Sequence, residues 1–300
     1  MKKLILLIIT IIICITFINL FEQKLYSNAI FIATTTSVYN SGLLEYLLPI
    51  FESKYNIKVY VIPVGTGRAI EIAKRGSVDL IIVHSKDLEI DFLNSSYGVH
   101  RIGIMYNDFI IVGPIEDPAN ITNLNNVTEA FRRIMIEGSK GNAIFISRAD
   151  KSGTHVLEMS IWKKLGINPT GNNWYLETGA DMGTVLRMAN DKKAYTITDR
   201  ATWLSYELNN LKILVENDID LINPYSCILV NPEKFPNRNY KGAILLVKWL
   251  SSEEGQNLIE SYKKNNQSLF IPFARNLEIA HKLGYYNQEE EITWYENFGG

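Results

Sequence analysis

A chain of 300 residues, 47% hydrophobic and 21% charged, has the composition of a folded globular protein and is long enough for two lobes with cores of their own. Its formal net charge of -2 and the lack of any basic tract argue against a nucleic-acid-binding surface. The cysteines are Cys14, inside an apolar run, and Cys227, so a mature chain has no internal disulfide and its core must hold the fold.

Lys2 and Lys3 precede an apolar stretch from Leu4 to Phe21, the pattern of an export signal. Ser27-Asn28-Ala29 places small residues where a signal peptidase reads, which predicts cleavage after Ala29. The run is also nearly long enough to span a bilayer, so an uncleaved anchor is the other reading. Residues 1–29 are thus a signal peptide or N-terminal anchor. Either way the rest of the chain is exported, to the periplasm or the outer face of the cytoplasmic membrane.

Beyond that segment, strand and helix patterns alternate. Ala29 to Ala33 reads as a strand, and Ser41 to Tyr55 carries Leu43, Leu44, Leu47, Leu48 and Phe51 at helical spacing. Ile57 to Val64 is a strand, Arg68 to Arg75 a short helix, and Leu80 to Val83 a buried strand. Such repeats with short links imply parallel pairing and right-handed crossovers. Met105 to Pro114 is a further strand, followed by a polar stretch and a helix to about Glu137. A second set comprises a strand at Ala143 to Ser147, helices at Gly153 to Leu165 and Asp181 to Asn190, and strands at Ala194 to Thr198 and Leu211 to Val215. Asn223 to Pro232 is extended again, before helices at about Tyr240 to Leu250 and Glu253 to Tyr262. The expected fold is α/β: mixed sheets flanked by helices, in two lobes joined by two crossover strands. Residues 30–112 and 223–300 form one discontinuous lobe and 113–222 the other. Residues from Asn276 onward give no functional signal.

Ligands of such sheets bind beyond the strand carboxyl ends, where helix N-termini converge. Three strand-to-helix loops there share one chemistry. Thr34-Thr35-Thr36-Ser37 offers four hydroxyls beside free backbone N–H groups. Gly65-Thr66-Gly67 lets backbone amides approach a ligand closely. Ser147-Arg148-Ala149-Asp150-Lys151-Ser152-Gly153-Thr154 adds an arginine whose planar fork suits an oxyanion. Each loop has a plainer reading, as a helix cap, a chance Gly-Thr-Gly or a surface Arg148–Asp150 pair. Their convergence at one edge favours the ligand. Hydroxyls, amides and a guanidinium suit an acceptor-only tetrahedral dianion. Hydrogen phosphate would also need an acceptor, which Asp150 could supply, so phosphate stays a competitor, as do molybdate and sulfate.

The blocks IATTTSVYNSGLLEYLLPIFESKYNIKVYVIPVGTGRAIEIAKRGSVDLIIVHS, YGVHRIGIMYNDFIIVGP, FISRADKSGTH, WYLETGADMGTVLRMAN, AYTITDRATW and NPYSCILVNPEKFPN resemble the tungstate-binding proteins of ABC importers. The resemblance runs in order from about Phe31 to Pro272. It implies a type II periplasmic-binding-protein fold that closes on tungstate, with molybdate a further candidate ligand and no cofactor. The implied partners are an ABC permease and its ATPase. The chain would be a monomer that touches the membrane only through its N-terminal segment, if that stays attached. The implied ligands are Thr35, Thr36, Ser37 and Thr66, with Arg148, Ser152 and Thr154 from the opposite lobe. The family usually has Gly where Ala149 stands, which puts the role of that amide in question. Lys151 also departs from the family pattern.

Two further readings compete. Ser152, His155 and a nearby Asp invite a hydrolase, but residues three apart at a helix start do not readily line up as nucleophile, base and orienter. No metal-ligand spacing exists among His84, His100, His155 and His281. Asp199-Arg200 reads better as a helix cap with a satisfied ion pair than as a cleft rim.

Overall fold

The computed structural model describes residues 28–150, 152–264 and 266–298. The apolar N-terminal run and Lys151 lie outside these residues. Among the described residues, no helix is long and apolar enough to cross a membrane. The chain divides into two units. One comprises the described residues of Met1–Met105, Pro224–Tyr262 and Pro272–Gly300, the other those of Tyr106–Asn223 and Lys263–Ile271.

The first unit opens on β1 (Ala29–Thr34), followed at once by α1 (Thr36–Asn40) and α2 (Leu43–Tyr55). Helix α2 buries Leu43, Leu44, Leu47, Leu48 and Phe51, the stripe that its spacing predicts. It stops where Asn56 turns left-handed at φ 54° and its N–H reaches the Glu52 carbonyl. Then come β2 (Lys58–Pro63), α3 (Thr66–Lys74), β3 (Leu80–Val83) and α4 (Lys86–Asn94). Strand β1 pairs in parallel with β2 on one side and β3 on the other, with Thr34 opposite both Pro63 and Ile82. The three carboxyl ends therefore finish side by side. All four residues of β3 are buried, as in a strand covered on both faces.

Helix α4 is not legible from apolar periodicity, since it buries only Glu89 and Phe92. A buried carboxylate holds it instead. Glu89 accepts from the Ser85 amide at 2.7 Å, Arg101 Nε at 2.8 Å and Ser226 Oγ at 2.6 Å. A buried charge is tolerable when paired and fully hydrogen-bonded in this way. Strand β4 (Gly98–Pro114) begins well before Met105, because its first half carries His100 and Arg101 and masks the apolar pattern. It runs from the first unit into the second.

In the second unit follow α5 (Val127–Ser139), β5 (Phe145–Ser147), α6 (Gly153–Lys164), β6 (Tyr175–Glu177) and α7 (Met182–Lys192). After them come β7 (Thr196–Asp199), α8 (Arg200–Trp203) and β8 (Leu211–Val215). Strands β7 and β8 pair antiparallel with β4, while β5 and β6 pair in parallel with Ser147 opposite Glu177. The core packs Phe131, Phe145, Trp162, Trp174 and Tyr175, with the Phe131 and Trp162 rings 4.5 Å apart. Asp199 caps α8 by accepting from the Thr202 amide at 2.8 Å. Arg200 pairs with Asp108 and Glu216, which settles that dipeptide as cap plus ion pair.

The chain returns through β9 (Ile222–Val230), antiparallel to β3 with Ser226 opposite Val83. Helices α9 (Tyr240–Ser251) and α10 (Glu253–Ser261) follow in the first unit. A small hairpin of β10 (Lys263–Lys264) and β11 (Gln267–Ser268) belongs to the second unit. After β12 (Ile271–Pro272), α11 (Leu277–Lys282) and α12 (Gln288–Asn297) complete the first unit. Parallel and antiparallel pairings coexist, so the sheets are mixed, as expected of this α/β chain.

Candidate functional site

In the first unit the adjacent ends of β1, β2 and β3 place two of the hydroxyl- and glycine-rich loops side by side. Thr34 is structural, because its Oγ1 donates to the Ile82 carbonyl at 3.0 Å and ties the two strand ends together. Thr35 occupies the N-cap position of α1, with extended ψ 148°, yet its side chain makes no capping bond. Its Oγ1 lies instead 3.0 Å from Ser37 Oγ. Thr35 is buried, whereas Thr36 and Ser37 are exposed. The cap reading of this loop therefore fails: the hydroxyls bond each other and leave the first-turn amides without a side-chain acceptor.

Gly65 holds the N-cap position of α3, again with no side-chain cap, and half-buried Thr66 is the first helical residue. A Cβ at Gly65 or Gly67 would meet no atom within 4 Å, and neither residue has a positive φ. The fold does not require glycine at either position. What glycine provides is open approach to the amides. Both loops combine N–H and O–H donors with the positive end of a helix dipole, and Arg68 at the edge of α3 is paired with Glu71 at 2.7 Å.

The structure adds two residues that the sequence did not single out. Tyr225 Oη lies 3.0 Å from Ser37 Oγ, and the His84 ring meets the Tyr225 ring edge-on at 4.9 Å. His84 directly follows β3, and Tyr225 lies on the antiparallel neighbour β9 beside it. Only that register joins positions so distant in sequence. Glu89 supports both from behind, through Ser85 on one side and Ser226 on the other.

In the second unit, the loop from β5 to α6 gathers its donors on one carboxylate. Arg148 reaches a single oxygen of Asp150 through Nε, at 3.1 Å, and Nη2, while the Ser152 amide donates to the other oxygen at 3.1 Å. Partial burial works to raise the Asp150 carboxyl, but bonds from Ser152 and Arg148 outweigh it and hold it below the usual carboxylate range. Asp150 thus shows that Arg148 and Ser152 can converge on one anionic group. Ser152 is also a cap, accepting from the His155 amide at 3.4 Å, and Thr154 is buried in the first turn of α6.

Ala149 adopts φ 50°, a left-handed conformation that glycine takes without strain. Its amide is directed to Ser147 Oγ at 3.2 Å, which in turn donates to Glu158 Oε2 at 2.7 Å. Glu158 also accepts from Tyr175 Oη and from Trp162 Nε1. Burial pushes its carboxyl up to about 7 despite these three donors. Thr178 Oγ1 donates to the Ser147 carbonyl at 2.9 Å and closes the floor of the loop. Among the described residues, no group of His, Cys, Asp and Glu is arranged to hold a metal ion.

A family model described as a PBP superfamily domain matches residues 26–254. The tungstate-binding protein TupA of Peptoclostridium acidaminophilum is 43% identical over 258 residues, 84% of this chain and 88% of that protein. The chain belongs to this family. The solved tungstate-binding protein TupA of Desulfovibrio alaskensis G20 superposes with a TM-score of 0.78 at 39% identity, covering 81% of this chain and 98% of that one. The crystal structure of the tungstate ABC transporter from Geobacter sulfurreducens is 45% identical with a TM-score of 0.65, covering 78% of this chain and 98% of its own. The fold is therefore that of the type II periplasmic binding proteins, and the TupA family is one of binding proteins in transport, not of enzymes.

Proposed function

We propose that this chain is the extracytoplasmic solute-binding protein of an ABC importer, and that its ligand is tungstate. The observation that carries the reading lies in the first unit. Two uncapped helix N-termini and a cluster of hydroxyls stand at the joined carboxyl ends of parallel strands, in a chain of the TupA family. Every polar side chain in those two loops can donate, and no carboxylate stands among them, which suits an ion that only accepts. The proposal assigns Thr35, Thr36, Ser37, Thr66, Arg148, Ser152 and Thr154 as ligands of the oxyanion. No cofactor takes part. The permease and ATPase of the importer are its partners, and it acts as a monomer, with residues 1–29 either removed on export or retained as an anchor.

Competition titration decides the ligand: tungstate, molybdate, sulfate and phosphate are titrated against the purified mature chain. Tungstate is expected to bind most tightly, with molybdate next. If phosphate bound best, with affinity rising as pH falls toward its singly charged form, the ligand would be phosphate.

A further inference from the structure

Ser37 Oγ stands between two hydroxyls, 3.0 Å from Thr35 Oγ1 and 3.0 Å from Tyr225 Oη. It has one proton to give and two lone pairs to receive with. Tyr225 is fully buried on β9, and the bond of Ser226 to Glu89 pins the strand beside it. A phenol, with pKa of about 10, is a stronger acid than an aliphatic alcohol, so in the Ser37–Tyr225 pair the tyrosine is the better donor.

We propose that Tyr225 is a positioning residue that fixes the hydrogen-bond direction of Ser37. By donating to Ser37 Oγ it keeps the serine's own proton off the Tyr225 side and free for the ion, so Ser37 meets an oxyanion as a donor. The inference rests on Ser37 being a ligand of a tungstate-class dianion. It explains how neutral hydroxyls discriminate by protonation state. A fully deprotonated ion accepts from Ser37, whereas hydrogen phosphate needs one group that accepts its proton. Ser37 could become that acceptor only by giving up its own bond to the ion and turning its proton to Thr35, since the phenolic proton already occupies the Tyr225 side.

The test is calorimetric titration of tungstate, sulfate and phosphate on the mature wild-type chain, Tyr225→Phe, Ser37→Ala and the double variant. Phenylalanine keeps the buried ring, and the Ser37→Ala pair reads the same coupling from the other side. Tyr225→Phe should weaken tungstate and sulfate together by about three- to tenfold. It should raise the phosphate-to-tungstate affinity ratio at least about fivefold while the sulfate-to-tungstate ratio stays within about twofold. On a Ser37→Ala background the same substitution should have no further effect. A merely structural role of Tyr225 would move both ratios alike and would persist without Ser37. If phosphate binds too weakly to titrate, the tungstate cycle alone decides. Equal effects of Tyr225→Phe with and without Ser37, or no effect at all, would overturn the inference. A wild-type chain that fails to bind tungstate would instead overturn the proposed function.

Discussion

Arg148 and Asp150 show how one short loop can gather its donors on a single carboxylate. The guanidinium is engaged on one carboxylate oxygen, and the carboxyl is held below its usual range, so Asp150 stays charged at neutral pH. In the proposed site, replacing Arg148 with alanine removes the cation and leaves that negative charge beside the oxyanion. Losing a hydrogen bond to a charged group costs about 1.5–3 kcal/mol. Arg148→Ala should therefore weaken tungstate binding at least about tenfold, measured by calorimetry. Unchanged affinity would remove Arg148 from the site. At this scale the sequence displayed what local chemistry can display. Runs of Thr and Ser, Gly-Thr-Gly and a lone Arg at strand ends are visible in a string of letters. Tyr225 and His84 are not, since a buried tyrosine in an apolar strand looks like core until the antiparallel register sets it beside Ser37. Nor is the local answer at Ala149, whose amide turns to Ser147 at a left-handed φ.

Helix α6 carries Arg148's loop, and its buried anchor is Glu158. That carboxyl, at about 7 in the folded chain, ordinarily titrates near 4.5. Between those values the folded state keeps a proton that the unfolded state releases. The stabilising contribution is therefore complete below about pH 4.5 and is lost as pH rises through about 7. A single group shifted that far contributes about 3 kcal/mol at most. Urea midpoints of the wild-type chain and Glu158→Gln, compared from pH 5 to 8, should diverge in slope, with the glutamine variant losing less stability toward pH 8. Parallel profiles would mean that Glu158 titrates normally. The same pattern of legibility holds for whole elements. Helices with a full apolar stripe, such as α2, were visible from spacing, as was the all-apolar β3. Helix α4, held by Glu89, and the three-residue β6 were not. Nor was the β10–β11 hairpin, with two residues in each strand. Those elements depend on partners far along the chain rather than on a period of their own.

For the molecule as a whole, net charge and function pull in opposite directions. The chain carries a formal charge of -2, yet its proposed ligand is a dianion. A long-range field would therefore oppose encounter weakly, and the attraction must come from hydroxyls, amides and one guanidinium acting at contact distance. Screening acts on charges separated by more than a Debye length, about 10 Å at 0.1 M salt, and hardly touches donors in direct contact with an ion. Capture should thus be nearly indifferent to ionic strength. Stopped-flow association of tungstate should change by less than about threefold between 20 and 200 mM sodium chloride, and any change should be toward faster binding as repulsion is screened. A steep slowing with salt would show that a positive surface field steers the ion. Recognition would then begin outside the loops, and a donor set aimed at short range would no longer account for capture.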